Sequence, residues 1–334
     1  MIKVPRRRFG RTGLDIPVVT YGGGWVGGHL ITAPRETAFN TLNRALAAGI
    51  DWIDTAAAYG DGISETVIGQ WLHTLDGARP RISTKFGFDQ SAGDIAGQIR
   101  RSLEASLQRL GLDKVELLIL HNRIVNRQPV RRGPRELYPH EVLEEQGVAD
   151  ILDNLRREGL IDHIGMTALG EPAALEVVVD SGRFDVAQVY INALNPTAVE
   201  SVPDSWNSTN FNRLAEHCAR QDMGLMGIRI FAAGHLVTDE RHGREIPITE
   251  NAADREEEER AQAFLEKIGT AHGSRAETAL RFGLAYEQFP TIVVGIGEPD
   301  HLEQVLSAVE KGPLDAGARA KIAELWRSHP AFID

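Results

Sequence analysis

Four side chains in the first 121 residues have the types and spacing for acid–base chemistry. Asp54 ends the stretch "DWID", and Tyr59 follows five residues later in "TAAAYG". Lys85 closes "RISTK" and His121 closes "VELLILH". A carboxylate, a phenol, an amine and an imidazole can hold protons and hand them on. Asp54, Lys85 and His121 terminate three successive apolar runs. An unpaired charge there is costly, so Asp54 and Lys85 are expected to pair. A second signal is "TYGGGWVGG", in which Gly22, Gly24 and Gly27 spell G-x-G-x-x-G. As a dinucleotide-binding turn it needs a preceding strand, a helix opening at its third glycine and an acid about 20 residues on. The strand is present. "GHLITAP" delays the helix, and Asp51 and Asp54 come too late, so the glycines read as a tight turn at a strand end.

The elements around these residues alternate regularly. Strands are expected at 17–20, 50–54, 81–85, 115–121, 161–166, 186–192, 224–230 and 291–294, each a nearly unbroken apolar run. Such runs suit strands buried on both faces of a parallel sheet. Helical patterns separate them. Thr32 is placed to cap "RETAFNTLNRALAAG", with Pro34 in its first turn and Gly49 as its stop. Ser64 is placed to cap "SETVIGQWLHTL". Eight β–α units predict a single (β/α)8 TIM barrel over residues 1–334, an α/β fold. "RRRFGRTGLDI" predicts an N-terminal β-hairpin turning at 11–13. Two long loops, 122–146 and 234–254, would lie on the carboxyl face, where barrel enzymes keep their active sites. That rim also collects Asp54, Tyr59, Lys85 and His121.

Composition narrows the function. The net charge of −11 argues against a nucleic-acid partner, which needs a basic face. The acidic run Glu256 to Glu259 is expected to be a solvated helix face. One cysteine, Cys218, excludes an intrachain disulfide or a cysteine-built metal site. No H-x-H or H-E-x-x-H pair follows a strand, so no metal is expected. The basic start "MIKVPRRRFGRTG" lacks the apolar core of a secretory signal, and no stretch approaches the ~18 apolar residues of a membrane span. A cytoplasmic setting is the expectation.

The motifs "DTAAAYG", "STKFG" and "LLILHN" resemble those of the aldo-keto reductase superfamily. So, in order, do "GLIDHIGMT", "FDVAQVYIN", "GIRIFAAGHL" and "TIVVGIGEPDHLEQV". The resemblance covers nearly the whole chain and implies a barrel whose rim binds extended NAD(P)(H) without a Rossmann fold. Asp54, Tyr59, Lys85 and His121 match the family's catalytic tetrad. Tyr59 would then give a proton to the carbonyl oxygen, helped by the Lys85 ammonium, which Asp54 holds and which favours the phenolate. His121 would orient the carbonyl. The implied activity interconverts carbonyl and hydroxyl groups of small aldehydes, ketones or aldoses. The alternative is a cofactor-binding regulatory or partner subunit with little turnover, as in channel-associated members.

The cofactor positions match less closely. Thr167 and Ala168 replace the family's Ser-Asn pair, and Gln188 matches the strand-six amide. Arg229 follows Ile228 where the family often has an aromatic residue, a variant resembling a branch that includes aldose dehydrogenases. Phe231 and Gly234 continue that loop. Gly23 and Gly24 let the backbone pass close to cofactor and substrate. After the eighth strand, Gly295, Gly297, His301 and Gln304 face the adenosine half. Gly295, Ile296 and His301 stand where NADP-preferring members offer a lysine, a hydroxyl and an arginine. With Glu298 and Asp300 beside them, NAD(H) is expected to be used at least as well as NADP(H). Trp25, His29 and Trp206 are expected to wall the substrate pocket with Tyr59 and His121. The arginines of loop 122–146 read as a solvated basic surface. The substrate class stays open among aldehyde, ketone and sugar.

Overall fold

The computed structural model of the protein describes residues 3–24, 28–126, 133–241 and 254–334. Eight parallel strands close into a barrel. In chain order they are β1 (Val19–Gly22), β2 (Trp52–Asp54), β3 (Arg81–Phe86), β4 (Val115–Leu120), β5 (Ile161–Thr167), β6 (Val186–Tyr190), β7 (Gly224–Ile228) and β8 (Thr291–Gly295). Each strand pairs with its successor, and β8 closes on β1 through Ile292 to Val19 and Gly295 to Gly22. The expected strands are all present, with ends moved by at most two residues.

The two-residue period of a strand sorts side chains between lumen and helix layer. Trp52, Leu117, Ile119, Val186 and Met226 form the packed lumen. Val67, Leu103, Leu152, Leu175 and Leu306 belong to the larger core between the strands and the helices. The helices include Arg35–Ala47, Ile63–Leu72, Ile95–Leu110 and Pro299–Lys311. Among the described residues, no helix is long and apolar enough to cross a membrane.

A hairpin of Arg6–Arg8 and Asp15–Pro17 plugs the amino end of the barrel. Phe9, fully buried, meets Trp52 edge-on at 5.4 Å inside the lumen. Arg7 donates to the carbonyls of Leu284 and Phe289. Arg11 donates to Gly182, Phe184 and Gln221.

Three local expectations need correction. Thr32 caps nothing: it ends a one-turn helix, His29–Thr32, and its hydroxyl bonds back to the Gly28 carbonyl. The next helix starts at Arg35 after Pro34. Ser64 lies inside its helix, which Gly62 opens at φ 84°, and its hydroxyl is used elsewhere. The acidic run is not wholly solvated. Helical spacing turns Glu257 and Arg260 inward, where they pair at 3.2 Å, both nearly fully buried. Of the two long loops, the first forms a short ladder of Arg123–Ile124 on Glu136–Leu137 and a helix Pro139–Leu143. Residues 127–132 of this loop and 242–253 of the second lie outside the described residues.

Candidate active site

The carboxyl end of the lumen is built by strand ends. Asp54 and Lys85 terminate or nearly terminate β2 and β3 with inward side chains. Lys85 Nζ donates to Asp54 Oδ2 at 2.5 Å and to the Thr55 carbonyl at 2.8 Å. Asp54 Oδ1 accepts from Ser83 Oγ at 2.8 Å and, across the lumen from β6, from Gln188 Nε2 at 2.7 Å. Asp54 and Lys85 are both buried. The carboxylate is therefore satisfied by one cation and two neutral donors, as a buried charge requires. Burial pulls the Lys85 ammonium toward deprotonation. The Asp54 carboxylate and then Tyr59 outweigh that, and its pKa stands above the ordinary lysine value.

Tyr59 rides on the loop between β2 and the helix Ile63–Leu72. The loop is tied down where it leaves β2: Thr55 N donates to the Ser83 carbonyl and Ala57 N to the Lys85 carbonyl. Lys85 Nζ stands 4.7 Å from the centre of the Tyr59 ring. His121, just past β4, is held by its backbone N–H on the Phe86 carbonyl. Its ring meets that of Tyr59 edge-on at 6.3 Å and 86°. Burial first, then the charges of Lys85, Arg135 and Arg229, push the His121 pKa down to about 3. Its imidazole is neutral near pH 7, one nitrogen donating and the other accepting.

A Cβ on Gly24 would stand 3.7 Å from the Tyr59 ring. A Cβ on Gly23 would approach Ser64 Oγ to 2.7 Å, so that position has no room for a side chain. Thr167 ends β5 in register with Gln188. Its hydroxyl is buried and has no partner among the described residues. Ala168 N donates to the Gln188 carbonyl. Beyond β7 the backbone is strained. Arg229, Ala232 and Ala233 take φ of 63°, 47° and 56°, and Gly234 follows at 113°. Each non-glycine residue in that region costs about 1–3 kcal/mol, a cost usually retained where a ligand is clamped. Asn192 Nδ2 braces the turn by donating to the Arg229 carbonyl.

The remaining expected residues have the following neighbours. Gly295 is beside Gly22 across the β8–β1 seam. Gly297 N donates to His301 Nδ1, and Gln304 accepts from Ser274. Phe231 is partly buried against the core. His29 is locked between Thr41 and the Gly297 carbonyl, so it braces the wall instead of lining the pocket. Trp206 stacks on Phe332 at 5.9 Å, beside the C-terminal segment. Trp25 lies outside the described residues, as do Arg127, Arg131 and Arg132. One site residue escaped the sequence reading. Tyr190 is two positions past Gln188 on β6 and so shares its inward face, near Arg229, Arg123 and Tyr59. The strand period alone could have found it.

The aldo/keto reductase family model matches residues 18–327. The chain is 24% identical to L-galactose dehydrogenase of Arabidopsis thaliana over 314 residues, 92% of this chain and 89% of that protein. It is 28% identical to D-threo-aldose 1-dehydrogenase of a Pseudomonas species, over 70% of this chain and 71% of that one. The solved holo form of aldo-keto reductase AKR11C1 from Bacillus halodurans superposes with a TM-score of 0.71 at 18% identity, over 98% of this chain and 99% of that one. On the extent of the family match, the chain belongs to the aldo/keto reductase family and is an NAD(P)-dependent oxidoreductase of carbonyl and hydroxyl groups.

Proposed function

We propose that the protein interconverts the carbonyl and hydroxyl forms of a small aldehyde, ketone or aldose, with Tyr59 as general acid and base. The observation that carries this is the contact of the Tyr59 ring with both the Lys85 ammonium and the His121 ring. His121 is neutral across the physiological range and Lys85 is held as a cation by Asp54. Neither is suited to giving up a proton near pH 7, which leaves the phenol. As a carbonyl oxygen gains charge, Tyr59 protonates it and the neutral imidazole of His121 donates a hydrogen bond to it. The Lys85 ammonium stabilises the phenolate that remains. In the oxidative direction Tyr59 takes the proton from the alcohol.

When bound, the nicotinamide cofactor supplies or accepts the hydride. The buried, unpartnered Thr167 hydroxyl supports a place for its carboxamide. Gln188 Nε2 is committed to Asp54, so its Oε1 is the atom available to accept from that amide. Gly23 and Gly24 would pass under the nicotinamide. Arg229, Phe231 and Gly234 would line the pyrophosphate turn, and Gly295, Gly297, His301 and Gln304 the adenosine half. Glu298 and Asp300, exposed at the start of the helix Pro299–Lys311, favour NAD(H) over a 2′-phosphate. The similarity to sugar dehydrogenases favours aldoses within the substrate range. The test is Tyr59→Phe, assayed on aldoses and simple carbonyls with both cofactors. Turnover should fall ~10²–10⁴-fold while cofactor binding persists. Retention of most activity would refute the assignment.

A further inference from the structure

The reading above requires Tyr59 and Lys85 to keep a fixed separation, yet Tyr59 stands on an irregular loop. A buried carboxylate outside the lumen ties the two together. Glu65 is in the first turn of the helix that follows the Tyr59 loop and is fully buried. Its Oε1 accepts from the hydroxyl of Thr84, the residue before Lys85 on β3. Strand alternation points Lys85 into the lumen and Thr84 into the helix layer. The Glu65 bond therefore grips the same strand from behind. Glu65 Oε2 accepts from Arg109 Nε at 2.7 Å, and the ion pair brings Arg109 Nη2 to 2.6 Å of the same oxygen.

The neighbouring backbone is shaped for this arginine. Gly62, in the left-handed region, would place a Cβ 2.7 Å from Arg109 Cδ. A Cβ on Gly69 would come within 2.2 Å of the Arg109 carbonyl. The two helices thus meet closely on both sides of Glu65. One residue earlier, Ser64 joins the same assembly to the catalytic loop. Its backbone N–H donates to the Tyr59 carbonyl at 3.3 Å. Its hydroxyl bonds Thr55 at 2.8 Å and the Gly23 carbonyl at 3.0 Å.

We infer that Glu65 is a positioning residue, which fixes the Tyr59 hydroxyl relative to Lys85 by clamping the loop's helix to β3 and to Arg109. This rests on the proposed role of Tyr59. A carboxylate suits the position because it can accept from a hydroxyl and a guanidinium at once, and charge-assisted bonds are short and stiff. The neutral amide of Glu65→Gln keeps the shape but can offer only one oxygen to those donors.

The experiment compares Glu65→Gln, Thr84→Val and Thr84→Ser by steady-state kinetics, cofactor binding, pH–rate profile and thermal melting. Displacement of a catalytic group by a fraction of an ångström to one ångström costs about tenfold to a hundredfold in rate. Glu65→Gln and Thr84→Val should therefore lower kcat by that amount, with KM and cofactor Kd within about twofold, and should shift the pH–rate profile. Thr84→Ser should restore kcat, and the Glu65→Gln/Thr84→Val double variant should be no worse than the poorer single one. A lowered melting temperature with unchanged kcat and pH profile in the folded variants would overturn the inference and leave Glu65 a stability element. If Glu65→Gln does not fold, the Thr84→Val and Thr84→Ser pair decides alone. Should Tyr59→Phe stay active, the catalytic reading itself fails; should it be dead while Glu65→Gln is normal, only the clamp fails.

Discussion

Replacing Lys85 by Met removes a buried charge and leaves its partner in place. In the native protein Lys85 Nζ satisfies two acceptors, Asp54 Oδ2 at 2.5 Å and the Thr55 carbonyl at 2.8 Å. Breaking one side of a buried pair costs roughly 3–5 kcal/mol. Asp54 keeps Ser83 and Gln188 as donors, which puts the expected loss near the lower end, about 3 kcal/mol. At roughly 2 °C per kcal/mol for a domain larger than 250 residues, the melting temperature should fall by about 6 °C. The assay is urea unfolding at pH 7 with calorimetry alongside. A double variant, Asp54→Asn with Lys85→Met, removes both charges and should recover part of the loss. The pH dependence gives an independent check. The folded pKa of Lys85 is raised, so its contribution is complete below the unfolded lysine value of ~10.4. It is lost as the pH rises through the higher folded value. The stability gap between wild type and Lys85→Met should thus be constant near neutrality and narrow in strong alkali. A loss under about 1 kcal/mol, or a gap that widens with pH, would refute the buried-pair argument.

Two further outcomes follow from the same site. His121, at about 3 in the fold and ~6.5 unfolded, contributes stability that is full above 6.5 and is lost as the pH falls toward 3. His121→Asn should therefore flatten the stability profile between those limits, by at most about 1.4 kcal/mol per pH unit, and an unchanged slope there would count against a neutral, half-buried imidazole. NAD should bind at least as tightly as NADP because Glu298 and Asp300 flank the site expected for a 2′-phosphate; NADP binding more than ~tenfold tighter, about 1.4 kcal/mol, would reverse that assignment.

The barrel was legible because each strand is a short apolar run bounded by turn residues, and Asp54 with Lys85 was legible because a charge at the end of such a run needs a partner. Ser64 and Thr32 misled because both have the chemistry of a cap. Their hydroxyls found tertiary or backward partners, Gly23 with Thr55 and Gly28 respectively, and local propensity does not encode those. His29 was misplaced for a related reason. An imidazole near a glycine turn suits a pocket wall, but a partner 268 residues away, Gly297, fixes its ring. Glu65 was invisible, since one acidic residue in a first helical turn is ordinary until Thr84 and Arg109 are seen around it. Tyr190 was recoverable from the period of β6, because it lies two residues past Gln188 on the same face.

The plug at the amino end also has a consequence for the order of assembly. Arg7 precedes every barrel strand in the chain, but the carbonyls it needs belong to Leu284 and Phe289, and those of Arg11 belong to Gly182, Phe184 and Gln221. Contacts this distant in sequence form late, after the loop-closure entropy of nearly the whole chain has been spent. During synthesis the Arg6–Pro17 segment must therefore wait while seven β–α units emerge, with Phe9 and Ile16 kept from their final burial. The last act of folding is then the insertion of a segment made before any barrel strand, and its two arginines are fastened only once their distant acceptors are present.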